Sequence, residues 1–556
     1  MRWILAASLL LCAACPELPS GPRFVGAGSE TPRRGGTLML WEEARVRTLD
    51  PHTAGDQISH VLIEMIYESL YAYDHEANLV PRLAQELPEI SEDGRTLTIS
   101  LRRGVRFHNG RELDARDVVW SLERMLSAEL HSPGAGYFSA IEGVAAYQAK
   151  QAPHVRGLQV LEPFRVRIRL TQPDQSFVYA LAMRYASPVP REELAKPGAN
   201  FKRTTCGTGP FKLVSWDPGV RLVLERHARY HEPELPYLDR VVFEEGLVRA
   251  TGVMRFRNGE VDIATRMAPA DAVFMRAGPW ARYMTVGERA DTYGLVMNNE
   301  MPPFDNVHVR RAVAFAIDRE RWSRARNGLI KPTGQMLPPK VAGYDPALPH
   351  GQHFDLAKAR EELKLAGYPD GLPQPVTMWL SDNSAGRAYF ELAQADLSKI
   401  GIQLEAKQVS FPVYLEETAK RGNAQMSAAG WSLDFPDASN IMHLVSKRAI
   451  AERDSDNRAF FSDDRVNELL ERAIVERDKE KRRAMYREAN DRVAELAPWA
   501  FFCNTAAPQA WQPYVRNYSP HPIHWIYVAE TWLDLPRKRI AALMRQPAQQ
   551  LARMFP

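Results

Sequence analysis

The chain has 556 residues, 45% hydrophobic and 25% charged, enough to bury a large core, and its length points to two to four domains. Its 71 basic and 68 acidic residues leave a formal net charge of +3, without the clustered basic surface of a nucleic-acid binder or a reason to expect a strongly acidic ligand. Of 4 cysteines, Cys12 and Cys15 sit in an N-terminal apolar segment, so no disulfide framework is expected, and Cys206 and Cys503 are either two buried thiols or one bridge.

At the N-terminus, Arg2 precedes an apolar run from Ile4 to Ala14. That run is shorter than the ~20 residues of a membrane span and reads as a secretory signal. Ala13 and Ala14 before Cys15 resemble a bacterial lipoprotein box, which implies a signal over 1–15 and a lipidated Cys15 as mature N-terminus. Cys12 departs from the leucine usual at that position, and an ordinary cleaved signal or a retained anchor remain alternatives. All three place the protein outside the cytoplasm. Residues 16–35, rich in Pro, Gly and polar side chains, read as a flexible tether reaching at most ~70 Å.

The body opens with a strand at Gly36–Leu40. Alternating Leu97, Ile99 and Leu101 predict another strand, resumed by Val105 and Phe107 before an Asn109-Gly110 turn. Asp114 is expected to cap a helix through Val118, Leu122, Met125 and Leu126. Phe164, Val166, Ile168 and Leu170 alternate with three arginines, the pattern of a half-buried strand with a wet basic face. Phe211–Trp216, the turn at Asp217-Pro218-Gly219 and Val220–Arg226 predict a hairpin. A second helix is expected after an Asp305 cap, and a third over roughly 463–496. Between 374 and 410 the order strand, helix, strand predicts a parallel pair in an α/β lobe. No internal repeat is found.

Eight stretches in order resemble the periplasmic solute-binding proteins of oligopeptide, dipeptide and nickel ABC importers. They are Thr48-Leu49-Asp50-Pro51-His52; Leu97–Gly110 with Glu112–Val118; Gly207–Phe211; Leu224–His227; Tyr237–Asp239; Asn258–Ile263; Asn298–Asp318; and Gly430-Trp431-Ser432-Leu433-Asp434. The resemblance implies an α/β, two-lobed, type II-like periplasmic-binding-protein fold with a ligand cleft between the lobes. Lobe 1 would hold 36–290 and 504–536, enlarged by a subdomain near 56–165. Lobe 2 would hold 291–503, and 537–556 would be a basic C-terminal extension, either a frayed tail or a segment lying on an anionic surface.

The implied function is the binding component of an importer, with a short peptide as ligand, an inner-membrane ABC permease as partner and a lipid anchor, and no cofactor or metal. The protein is expected to act as a monomer. A buried ligand ammonium needs a carboxylate, and in peptide binders of this family an aspartate three residues after a tryptophan supplies it. Here that is Asp434 after Trp431, with Gly430 beside them; the alternative for Asp434 is a loop cap before Pro436. Trp431 would wall the cleft or pack in the core, and Tyr137 would offer an aromatic from lobe 1 or pack there. Two departures stand out: Ala428 replaces an arginine, and Gly55 followed by Asp56 stands where relatives have a ligand-contacting glutamate. Arg266 is the candidate for the lost positive charge, or else a solvated arginine.

A nickel complex, an oligosaccharide or an opine is the alternative ligand within the family. A secreted hydrolase is the rival class, and a ligand-sensing partner of a signalling receptor is a third option. Ser381-Asp382-Asn383 has no Ser-x-x-Lys or Lys-Thr-Gly companion, and His231-Glu232 lacks the second zincin histidine. His350 and His353 have no frame of metal ligands and are expected to be loop histidines.

Overall fold

A computed structural model describes residues 30–196, 200–265, 267–521, 523 and 526–534. The expected signal, Cys15, most of the tether, Arg266 and the C-terminal extension lie outside the described residues.

Three sheets organise the body. The first sets Thr37–Glu42 parallel to Arg240–Glu245, followed by the antiparallel hairpin of Arg221–Arg226 and Phe211–Asp217. The second is antiparallel, in the order Glu89–Ile90, Thr96–Ser100, Arg165–Arg169, Leu158–Glu162. Leu97, Ile99, Val166 and Ile168 are its buried face. Its arginines look outward as expected, Arg165 pairing with Glu89 and Arg169 with Glu142. The helix Ala115–Leu126 packs behind it, started by a capping box between Asp114 and Asp117.

The third sheet has eight strands built on the 13-residue strand Trp499–Trp511. The first part of that strand pairs with Asp291–Met297, its later part with Met284–Glu288 and Ile263–Ala264. Beyond Asp291–Met297 lie Met426–Ser432, Val376–Ser381 and Leu404–Val409, the last two parallel as the strand–helix–strand order requires.

The buried side chains divide in two. One large core draws on residues between 38 and 263 and on 514–533, joined by Phe435 alone from the intervening chain. Two others draw on 295–503. The molecule is two-lobed, and we place the lobe boundary where the chain crosses near 290 and 503. There the buried Asp291 accepts from the Thr505 backbone N–H (2.7 Å) and hydroxyl, and Asn504 donates to the Thr292 hydroxyl at 3.0 Å. The two crossings are therefore cross-braced.

Three local expectations need correcting, and one open alternative, at the two cysteines, is resolved. The helix Val307–Ala316 is capped by Asn306, whose side chain accepts from His308 N–H, because Asp305 is still in the preceding turn. The stretch 463–496 is two helices, Asp464–Val475 and Lys479–Leu496, since Asp478 caps a new start with bonds to Glu480 and Lys481 N–H. Val105 and Phe107 are buried and flank a single antiparallel bridge, Arg106 to Glu112 across the Asn109-Gly110 turn, which is shorter than a resumed strand. Cys206 and Cys503 are free, buried thiols in different cores.

Candidate functional site: a carboxylate between the lobes

The strand Met426–Ser432 runs antiparallel to Asp291–Met297, with Gly430 opposite Tyr293 and Trp431 opposite Thr292. Tyr293 lies across the strand so closely that a Cβ on residue 430 would fall 2.3 Å from its ring. Only glycine leaves that space. After Ser432 the chain leaves the sheet, and one buried side chain shapes the loop. Asn440 Oδ1 accepts both the Trp431 indole N–H (3.0 Å) and the Asp434 backbone N–H (2.9 Å). A single amide thus locks the tryptophan and the aspartate three residues later into one unit. Asp437 completes the frame: it caps the turn at Ser439 and accepts two bonds from Arg482, at 2.6 and 2.8 Å.

This frame pushes the loop into the opposite lobe. Phe435 is buried in the first core, edge-on to Tyr137 at 6.1 Å and stacked on Tyr179 at 6.0 Å between ring centres. Beside it, the Tyr137 hydroxyl donates to Asp434 Oδ2 at 2.6 Å. Burial, the Asp434 charge and this bond hold the Tyr137 phenol well above its ordinary range, so it stays a proton donor. Among the described residues no arginine or lysine forms an ion pair with Asp434. Contacts elsewhere also join the lobes: Gln175 N–H donates to Ile474 C=O at 2.8 Å, and the Arg477 guanidinium donates to Ser91 C=O. The lobes are shut on each other.

Of the sequence-predicted residues, Asp434 and Tyr137 are brought together, and the loop-cap alternative for Asp434 is not what its side chain does. Gly430 and the half-buried Trp431 line a cavity of about 330 Å³ inside the second lobe. Its wall forms where the sheet splits. The strand Val376–Ser381 pairs with Met426–Ser432 only at Met426 and Ser427, so from 428 onward the latter's edge faces the cavity, where the Ala428 carbonyl accepts from the Tyr414 hydroxyl at 2.7 Å. Ala428 is on this edge.

Other family-like stretches are scaffold. Asp50 of the Thr48–His52 stretch accepts two bonds from Arg124, at 3.0 and 2.5 Å. Arg124 also donates to His52 Nδ1 at 2.7 Å, and His52 Nε2 meets Ser187 C=O at 3.0 Å. Burial opposes the charge on Asp50, but Arg124 and His52 outweigh it and hold the carboxyl below its usual range. Burial, helped by Arg124, pushes His52 down to about 4. In Gly207–Phe211, a Cβ at Gly207 would lie 2.1 Å from Ile66 C=O, so this glycine permits close approach to a helix end. Asp56 caps the helix Gln57–Ile66 through Ser59. His231 bonds to Glu68, and His350 to Asp491, both as structural partners. Sequence reasoning missed Phe435, Asn440 and the Asp437–Arg482 pair, which carry no motif of their own.

Two α/β lobes shut on each other, with an aspartate between them that forms no ion pair among the described residues although its charge acts on the half-buried Arg184, have the architecture of a solute-binding protein. The profile of "Bacterial extracellular solute-binding proteins, family 5 Middle" matches residues 78–451. The glutathione-binding protein GsiB of Salmonella typhimurium is 27% identical over 508 residues, covering 90% of this chain and 92% of that one. GsiB of Escherichia coli K12 is 27% identical over 458 residues, 81% and 86% of the two chains. Among solved structures, clavulanic acid biosynthesis oligopeptide binding protein 2 superposes with a TM-score of 0.84 at 26% identity, over 93% of this chain and 100% of that one. The DppA of Helicobacter pylori in complex with the peptide STSA gives 0.73 at 26% identity, over 90% and 99%. The chain belongs to family 5 of the bacterial extracellular solute-binding proteins.

Proposed function

We propose that the protein is the substrate-binding component of an ABC importer, that it captures short peptides between its lobes and hands them to a membrane permease, and that Cys15 anchors it by lipid. The observation that carries the peptide reading is the Asp434 carboxylate, held in the closed interface by a neutral phenol. Such a group balances a desolvated ammonium, the feature every unmodified peptide shares. Beyond Ala428, whose carbonyl is taken by the Tyr414 hydroxyl, the backbone edge offers strand-type hydrogen bonds, the other feature peptides share. The names of the relatives, glutathione-binding and oligopeptide binding, agree with this reading.

Calorimetry with trialanine tests it. Asp434→Asn keeps an acceptor for Tyr137 but removes the charge, and should weaken binding roughly 10- to 150-fold, the ~1.5–3 kcal/mol of a hydrogen bond to a charged group. N-acetyl-trialanine should bind the native protein about as poorly as trialanine binds the variant. Undiminished binding of either pair removes Asp434 from the site.

A further inference from the structure

One helix end is held from both lobes. The helix Asp464–Val475 of the second lobe finishes with carbonyls that have no partner within the helix. Ile474 C=O accepts the Gln175 N–H of the first lobe at 2.8 Å, and Ala473 C=O accepts Arg482 Nε of the following helix at 2.9 Å. Two residues past the helix, Arg477 donates to Ser91 C=O, in the turn between the strands Glu89–Ile90 and Thr96–Ser100. The first lobe thus grips the second at this helix end.

Arg482 carries that position inward. Its two terminal nitrogens donate to the two oxygens of Asp437, at 2.6 and 2.8 Å, while Nε keeps the Ala473 carbonyl. The side chains are 11% and 2% exposed, so the pair is desolvated, and its planar fork spans two elements at once in a way that a lysine cannot. Burial opposes the charge on Arg482, but Asp437 outweighs it and holds the guanidinium above its ordinary range. From Asp437 the path to the site is short. Asn440 N–H donates to Asp437 C=O at 3.0 Å, and Asn440 is the residue that locks Trp431 and Asp434. The first lobe also meets this pair. Burial pushes the carboxyl of Asp174, beside Gln175, above its ordinary range against its bonds from Ser176, with the Asp437 charge adding to the push and Arg482 opposing it.

We propose that Arg482 is the positioning residue for the Asp434 carboxylate: it ties the loop that carries the carboxylate to the helix end that the first lobe grips, so that shutting the lobes sets Asp434 where a ligand ammonium meets it. This inference rests on the peptide reading above.

The test reads the preference for a free ammonium, the ratio of trialanine to N-acetyl-trialanine affinity, with thermal melts to confirm folding. In the native protein that ratio should be roughly 10- to 150-fold. Arg482→Gln should lose trialanine affinity and leave that for N-acetyl-trialanine, bringing the ratio to within about threefold. Arg482→Lys, which reaches Asp437 or Ala473 but not both, should keep an intermediate ratio. Asp437→Asn retains an acceptor for Ser439 but removes the charge; it should lower the ratio as well, and it decides the question if Arg482→Gln does not fold. Arg477→Ala loosens the grip without touching the loop and should weaken both peptides by one factor, roughly two- to fivefold; no loss for either peptide overturns the link to closure. If Arg482→Gln weakens both peptides equally or keeps the native ratio, the residue does not position Asp434, and the peptide reading survives. If the native protein does not prefer trialanine, both fall.

Discussion

Removing one oxygen, by Tyr137→Phe, isolates what holds the two lobes shut. The phenol makes a single bond, to Asp434 Oδ2 at 2.6 Å, and that bond exists only when the lobes meet. The ring itself stays to pack against Phe435 and Tyr185. A hydrogen bond to a charged acceptor contributes ~1.5–3 kcal/mol net. Asp434 is only half-buried and regains water on opening, so screening takes the contribution to the bottom of that range and below it, about 1–2 kcal/mol. The closed-to-open ratio of the ligand-free protein should therefore fall ~5- to 30-fold. Single-molecule energy transfer between dyes on Gln151→Cys and Glu405→Cys, exposed positions on opposite lobes, reads this ratio. The native thiols Cys206 and Cys503 are buried and compete little for the label. Saturating trialanine should restore closure in the variant, because the ligand ammonium then engages Asp434. An unchanged ligand-free ratio would refute the reasoning: the contact would be a passenger of closure, with Phe435 packing alone holding the lobes.

Gly430→Ala should destabilise the protein by about 1–3 kcal/mol and weaken peptide binding, since the added methyl falls 2.3 Å from the Tyr293 ring and the strand edge must shift; denaturant melts and calorimetry check both, and a neutral outcome means that the ring moves freely. His52 is fully buried and titrates near 4 against an ordinary 6.5. Its contribution to stability is therefore complete above about pH 6.5 and is lost as pH falls toward 4, a loss of about 3 kcal/mol, because only the unfolded chain takes up the proton in that window. His52→Asn should be less stable at pH 7 and close that gap by pH 4; parallel stability curves for the two proteins would contradict this.

The fold was legible wherever a local rule and the tertiary demand coincide. Asp114 both caps its helix and completes a box with Asp117, and the alternation from Phe164 to Leu170 matches a strand with one wet face. Asp305 and the 463–496 stretch misled for the same reason. Two adjacent cap formers, or a charged run with a second Asp inside it, satisfy the local rule at more than one position, and only the packed turn chooses. The site divides differently. Asp434, Trp431 and Tyr137 stood out because a family resemblance marks them, not because periodicity does. What makes them act together carries no sequence signal: Asn440 is an ordinary polar residue whose meaning lies in accepting two donors at once, and Phe435 is a loop aromatic that packs in the core of the other lobe.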